Sequence, residues 1–135
     1  MFVRSSAVLL IYSLLCSVAF CQEQKIEPPS ASQAKVMFYR ATGYAGHMLH
    51  ASIKIDSEKN VHKVPDNHIW VTELFPGSHF ISGDDKRYGM SYPLEGGKTY
   101  YFRIEAIQGK TQLKFRVLSV SAETADTEMR GLQPE

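Results

Sequence analysis

Cysteine is nearly missing from this 135-residue chain: it has only Cys16 and Cys21, both within the first 21 residues. If that segment is removed, no thiol remains, which excludes a disulfide scaffold, a thiolate zinc site and a cysteine nucleophile. An excess of charge of one sign is also missing, with 15 Lys+Arg against 14 Asp+Glu. Such a balance provides no field to steer nucleic acid or an acidic membrane. The longest apolar run, Ala7–Phe20, would reach about 21 Å as a helix, short of the roughly 30 Å hydrocarbon core. No amphipathic helix of three turns separates the central segments, which disfavours a βαβ nucleotide-binding architecture. Repeats and low-complexity tracts are absent as well.

What is there begins with Arg4 ahead of that apolar run and the small residues Ala19 and Cys21 at its end, the layout of a secretory signal peptide. We read 1–21 as the signal, with cleavage after Cys21. Lipidation at Cys21 is the competing outcome and is disfavoured, because Phe20 stands where a lipoprotein signal has a small residue. Membrane attachment is expected only in that event. Residues 22–33 carry Pro28-Pro29 and no apolar pattern and read as a linker, 34–132 as the folded domain, and 133–135 as a tail. Without Arg4, acidic and basic residues are equal in number. The mature chain of roughly 114 residues is long enough to be held by its core alone.

From Lys35 onward the period is two. KVMFYR (35–40), the Ile53/Ile55 alternation, HIWVTEL (68–74), HFIS (79–82), KTYYFRIEAI (98–107) and LKFRVLSV (113–120) read as strands. Phe75-Pro76-Gly77-Ser78 and Gln108-Gly109-Lys110 read as turns. In the fifth strand Tyr100, Phe102, Ile104 and Ala106 share one face, and in the sixth Leu113, Phe115 and Val117 do. Ser121 to Arg130 reads as a short helix capped by Ser121, with Glu123 in its first turn and Gly131 after it. The expected fold class is all-β, an antiparallel β-sandwich of about seven short strands with a short C-terminal helix.

The segments AKVMFYRATG (34–43), ELFPGSHFI (73–81) and LEGGKTYYFRIE (94–105) resemble a family of uncharacterised bacterial envelope proteins, a domain of unknown function found behind lipoprotein signals. The Pro-Gly-x-His step followed by Gly-x-x-Tyr-Tyr is also similar to PEGA-type surface domains, which are small envelope β-sandwiches. The similarity runs over Ala34 to Leu132. It implies fold and location, and assigns no catalytic residue.

Five histidines remain as potential chemistry: His47, His50, His62, His68 and His79. His47 and His50, beside Gly43-Tyr44-Ala45-Gly46, are the candidate ligands of an alternative reading, a histidine-dependent metal-binding domain; the plain reading is two solvated loop histidines. His79 is expected to bond a nearby carbonyl and fix the turn after Gly77. A hydrolase using His79 with Ser78 or Asp84 is remote, because adjacent strand residues point to opposite faces. Asp84-Asp85-Lys86-Arg87-Tyr88 reads as a solvated charged loop. Gly96-Gly97-Lys98-Thr99 ends like a phosphate loop, but Tyr92 occupies the place of its first glycine and a strand follows, so it is rejected.

Trp70, Tyr101, Tyr39 and Tyr44 are the candidate binding aromatics, an outward platform for a protein or glycan of the envelope, against the alternative of core or half-covered rings. No cofactor motif is found. The expectation is an exported, non-enzymatic binding or assembly module, periplasmic or extracellular, without a nucleic-acid partner.

Overall fold

The computed structural model describes residues 32–41 and 46–135. The expected signal peptide, most of the expected linker and Tyr44 lie outside the described residues.

The described residues form nine strands, one 3-10 turn and one α-helix. In chain order these are β1 (Ala34–Tyr39), β2 (Ala51–Ile55), β3 (Val61–Val64), β4 (His68–Leu74), β5 (Gly77–Ser82), a 3-10 turn (Lys86–Tyr88), β6 (Met90–Leu94), β7 (Thr99–Gln108), β8 (Leu113–Val120), α1 (Ala122–Met129) and β9 (Gln133–Pro134). The protein is therefore mostly β. One sheet runs β8-β7-β1-β4-β9 and the other β3-β2-β5-β6. Among the described residues no helix is long and apolar enough to cross a membrane.

Alternation sets which side of each strand is buried. Val36 and Phe38 of β1, Phe102 and Ile104 of β7, and Phe115 and Val117 of β8 join Ile53 and Ile55 of β2, Val64 of β3, Ile81 of β5 and Leu94 of β6 in one hydrophobic cluster fed by both sheets. Full burial of each such large side chain contributes about 1.5–3 kcal/mol. Phe38 stacks on Phe102 at 5.3 Å and on Trp70 at 5.1 Å, so Trp70 is turned toward this cluster.

Three strands go beyond the expected set, β3, β6 and the two-residue β9, and all three are edges. β3 is four residues long with His62 and Lys63 in its middle, and β6 carries Pro93. An edge strand needs pairing on one side only, so it tolerates proline and charge that weaken the strand signal in the sequence. The last three residues do not trail as a tail. Gln133 and Pro134 add β9 in parallel to β4, and the Glu135 N–H donates to the Ile69 carbonyl at 3.0 Å.

The expectation of wholly antiparallel strands needs correction in the first sheet. β1 pairs antiparallel with β4 but parallel with β7. A parallel neighbour requires a long crossover. Here the intervening chain, which builds the whole second sheet, supplies it.

The helix begins as expected. Ser121 accepts from the Thr124 N–H at 3.2 Å, Glu123 lies in the first turn, and Gly131 follows at φ +84. Its only fully buried residue is Ala125, and the helix lies against β7.

Candidate functional site

β1 stops at Tyr39, whereas β7 runs on to Gln108 with β8 paired along it to Leu113. The Arg40 N–H still reaches the His68 carbonyl at 3.0 Å, but past that point the line of β1 ends. A cleft of about 510 Å³ opens there, between the extension of β7 and the turn that precedes β4. Ile104, Ala106 and Phe115 give it apolar surface; Arg40, Asp66, Arg103, Glu105 and Glu128 give it charge. Ala106, on the core-facing side of β7 by alternation, is exposed because the sheet opens here.

Arg40 anchors the inner wall and is only 3 % exposed. Its Nη1 donates to the Leu49 carbonyl and its Nη2 to the Gly46 carbonyl, its Nε lies 3.6 Å from Asp66 Oδ1, and its guanidinium carbon sits 4.2 Å from the centre of the Phe115 ring. Burial lowers its pKa, and the opposing charges of Asp66 and Asp84 act the other way. A guanidinium remains charged under these conditions. Gly46 is held at φ +78, and a β-carbon there would fall 2.5 Å from Leu113 Cδ2, so only glycine brings its carbonyl to this place.

The outer wall is a chain of alternating charges. Arg103 contacts Glu128 at 2.7 Å and Glu105 at 2.7 Å, and Arg116 contacts Glu105 at 2.9 Å. Tyr39 donates its hydroxyl to Glu128. Burial, and then the hydrogen bond to Glu128, push the Tyr39 phenol far above its ordinary value, so it stays a protonated donor. The chain ties α1 to β1, β7 and β8. Two buried polar atoms in the cleft walls, Asp66 Oδ1 and Arg103 Nε, have no hydrogen-bond partner among the described residues.

The aromatic candidates do not assemble into one platform. Tyr39 is 0 % exposed under α1, which corrects its expected outward role: the helix covers the ring and its hydroxyl is spent on Glu128. Trp70 is half-buried between Phe38 and His62, whose ring is stacked 3.9 Å away. Tyr101 is half-buried on the opposite face, level with Met37 and Val120. Tyr44 lies outside the described residues.

His47 and His50 are exposed in the segment leading to β2. Among the described residues no group of three or more His, Cys, Asp or Glu side chains is positioned to hold a metal ion. His79 takes the structural role anticipated for it. Its Nε2 lies 2.7 Å from the Phe75 carbonyl and its Nδ1 lies 2.6 Å from Asp56 Oδ2. Burial lowers its pKa, but the bonds to Asp56 and Phe75 outweigh that and leave it raised.

The charged loop after β5 is not simply solvated, contrary to expectation. Asp84 accepts from the Ser52 N–H at 3.2 Å and from the Phe115 N–H at 2.8 Å, joining β2 of one sheet to β8 of the other. Asp85 caps the 3-10 turn through the Arg87 N–H and pairs with Arg87 and Lys114. The Asp84 carboxylate takes up the Phe115 N–H on the edge strand β8, a demand invisible in a local sequence window. The Arg40 arrangement was also missed. Its only signal was a charged residue in phase with the inward residues Val36 and Phe38 of its strand.

Comparison with protein-family models gives no match, and comparison with curated proteins gives none either.

Proposed function

We propose that this protein is an exported, non-enzymatic binding module of the cell envelope, a β-sandwich whose cleft beyond the end of β1 receives a segment of a partner protein. The observation that carries this reading is the cleft itself: about 510 Å³, apolar at Ile104, Ala106 and Phe115, and walled by charges already oriented by one another. Preorganised, mutually paired ions favour recognition, because little ordering remains to be done on binding. The same pairing disfavours acid–base chemistry, since Glu105 and Glu128 are both engaged by Arg103. Among the described residues Arg103 Nε has no hydrogen-bond partner, and Asp66 Oδ1 has only its 3.6 Å ion pair with Arg40, which leaves a donor and an acceptor for a bound segment. The apolar run behind Arg4 supports export, and the single hydrophobic cluster fed by two sheets supports the sandwich. The metal-binding alternative at His47 and His50 has no cluster of donors among the described residues to favour it.

The test places a photo-crosslinking residue at position 106 of the full chain in its native cells, with position 91, exposed on β6, as the control. The expected result is one defined protein adduct at 106, not seen at 91 and lost when Arg103→Glu reverses the outer wall. Equal adducts at both positions, or none at 106, would refute the cleft as the binding surface. Turnover of an envelope substrate by the purified domain, abolished by a point variant, would refute the non-enzymatic reading.

A further inference from the structure

A second concavity lies between the 3-10 turn and the β7–β8 hairpin, and shares no lining residue with the cleft. Its volume is about 220 Å³, and Arg87, Tyr88, Lys110 and Lys114 line it together with Asp85. Three cations thus face one carboxylate, in a chain whose overall charge is close to balanced. Asp85 does not cancel this excess so much as aim it. It accepts from the Arg87 side chain at 2.7 Å and from Lys114 Nζ at 3.0 Å, fixing a guanidinium and an ammonium toward the same groove. Arg87 remains 78 % exposed on its side chain. Lys110, at the hairpin tip, makes no ion pair among the described residues and supplies the third charge.

Beside these cations stands an apolar wall. Tyr88 is 47 % exposed and lines the groove together with Ile107, so an open aromatic face stands next to the charges. Gln108 and Thr111 of the hairpin add neutral hydrogen-bonding groups to the lining. Charge-assisted donors match a carboxylate or phosphate, the ring matches the face of a pyranose, and the amide and hydroxyl match sugar hydroxyls. We propose that this groove binds an anionic saccharide, a sugar bearing a carboxylate or a phosphate. This goes beyond the protein-binding role of the cleft and does not depend on it.

The experiment is calorimetric titration of the full chain with glucuronate, glucose 6-phosphate, glucose and inorganic phosphate, at low and at physiological salt. The two charged sugars are expected to bind in the millimolar range, at least about tenfold more tightly than glucose or phosphate, and to weaken as salt rises. Lys110→Ala and Tyr88→Ala should each weaken binding by about fivefold while the unfolding midpoint stays in place, because both side chains are exposed. Phosphate binding as tight as that of the sugar phosphate, unaffected by Tyr88→Ala, would overturn the saccharide assignment. No heat from either charged sugar at about 10 mM would overturn the site altogether. Crosslinking at position 106 in Lys110→Glu should be unchanged, so failure here leaves the cleft reading separately decided.

Discussion

His79 on β5 is joined to Asp56, the residue that follows β2. The imidazole Nδ1 lies 2.6 Å from the Asp56 carboxylate, whose other oxygen accepts from the Phe80 N–H at 2.8 Å, while Nε2 faces the Phe75 carbonyl at 2.7 Å. Both neighbours of the ring are acceptors, so both contacts are satisfied only by the doubly protonated imidazolium. Asp56 holds this position at φ +60, a left-handed conformation that aspartate tolerates.

Stability should therefore depend on pH through His79. Its folded pKa is raised above the ordinary 6.5 by the bonds to Asp56 and Phe75, against burial. The folded state then binds a proton more tightly than the unfolded one, so the contribution is complete below about pH 6.5 and is lost as pH rises through the raised value. Urea unfolding from pH 5.5 to 9 should show a midpoint that is steady at the acid end and falls as pH rises above about 6.5. The decline should be absent in His79→Ala, which should also cost about 1–2 kcal/mol at low pH.

Asp84→Ala should destabilise the protein by about 2–3 kcal/mol, because it leaves the Ser52 and Phe115 N–H groups without their acceptor. Asp84→Asn has one amide oxygen in place of two carboxylate oxygens and should recover only part of the loss. The neighbouring Gly83→Ala should be as harmful, since a β-carbon there would lie 2.2 Å from the Phe115 carbonyl oxygen. Denaturant midpoints of the three variants check this; an unchanged midpoint in Asp84→Ala would show that the two sheets are not joined here.

Arg40→Ala should cost about 3–5 kcal/mol, the range for removing one partner of a buried ion pair. It strands Asp66 and the carbonyls of Gly46 and Leu49, and removes the cation from the Phe115 ring. Arg40→Lys should not restore it, since an ammonium cannot serve three directions from one planar group. Full stability of the lysine variant in thermal unfolding would count against this account.

Glu128→Ala should loosen α1 rather than unfold the protein. Arg103 and Glu128 are each about 30 % exposed, so the ion pair is worth about 1 kcal/mol or less, with the Tyr39 bond added. Hydrogen exchange should quicken across 122–129 and leave β7 protected. Uniform quickening throughout would mean that the helix and the sheets open together.

Several parts of this molecule can be read locally. The alternation in 99–108 and 113–120 identifies a hairpin with Phe102, Ile104, Phe115 and Val117 inward, and all four are buried. The helix boundary follows from Ser121, whose hydroxyl meets an N–H three residues on. The strands that escape such reading, β3, β6 and the short β9, are edges, where pairing on one side relaxes the demand for a strong β pattern. The candidate site was the least legible part. Its charged walls join residues distant in sequence, such as Tyr39 with Glu128 and Arg40 with Asp66.

Composition and periodicity alone determined that this chain is mostly β, that its core is aliphatic and aromatic without thiols, and where its short helix begins, because each rests on residues within a few positions of one another. The parallel junction of β1 with β7, the cleft left where β1 stops first, the burial of Tyr39 and Arg40, and the gathering of Arg87, Lys110 and Lys114 around one groove were decided by tertiary structure. The physical reason is that burial and ion pairing depend on which strands become neighbours. That choice is made by the packing of the whole hydrophobic cluster, not by any one segment that contributes to it.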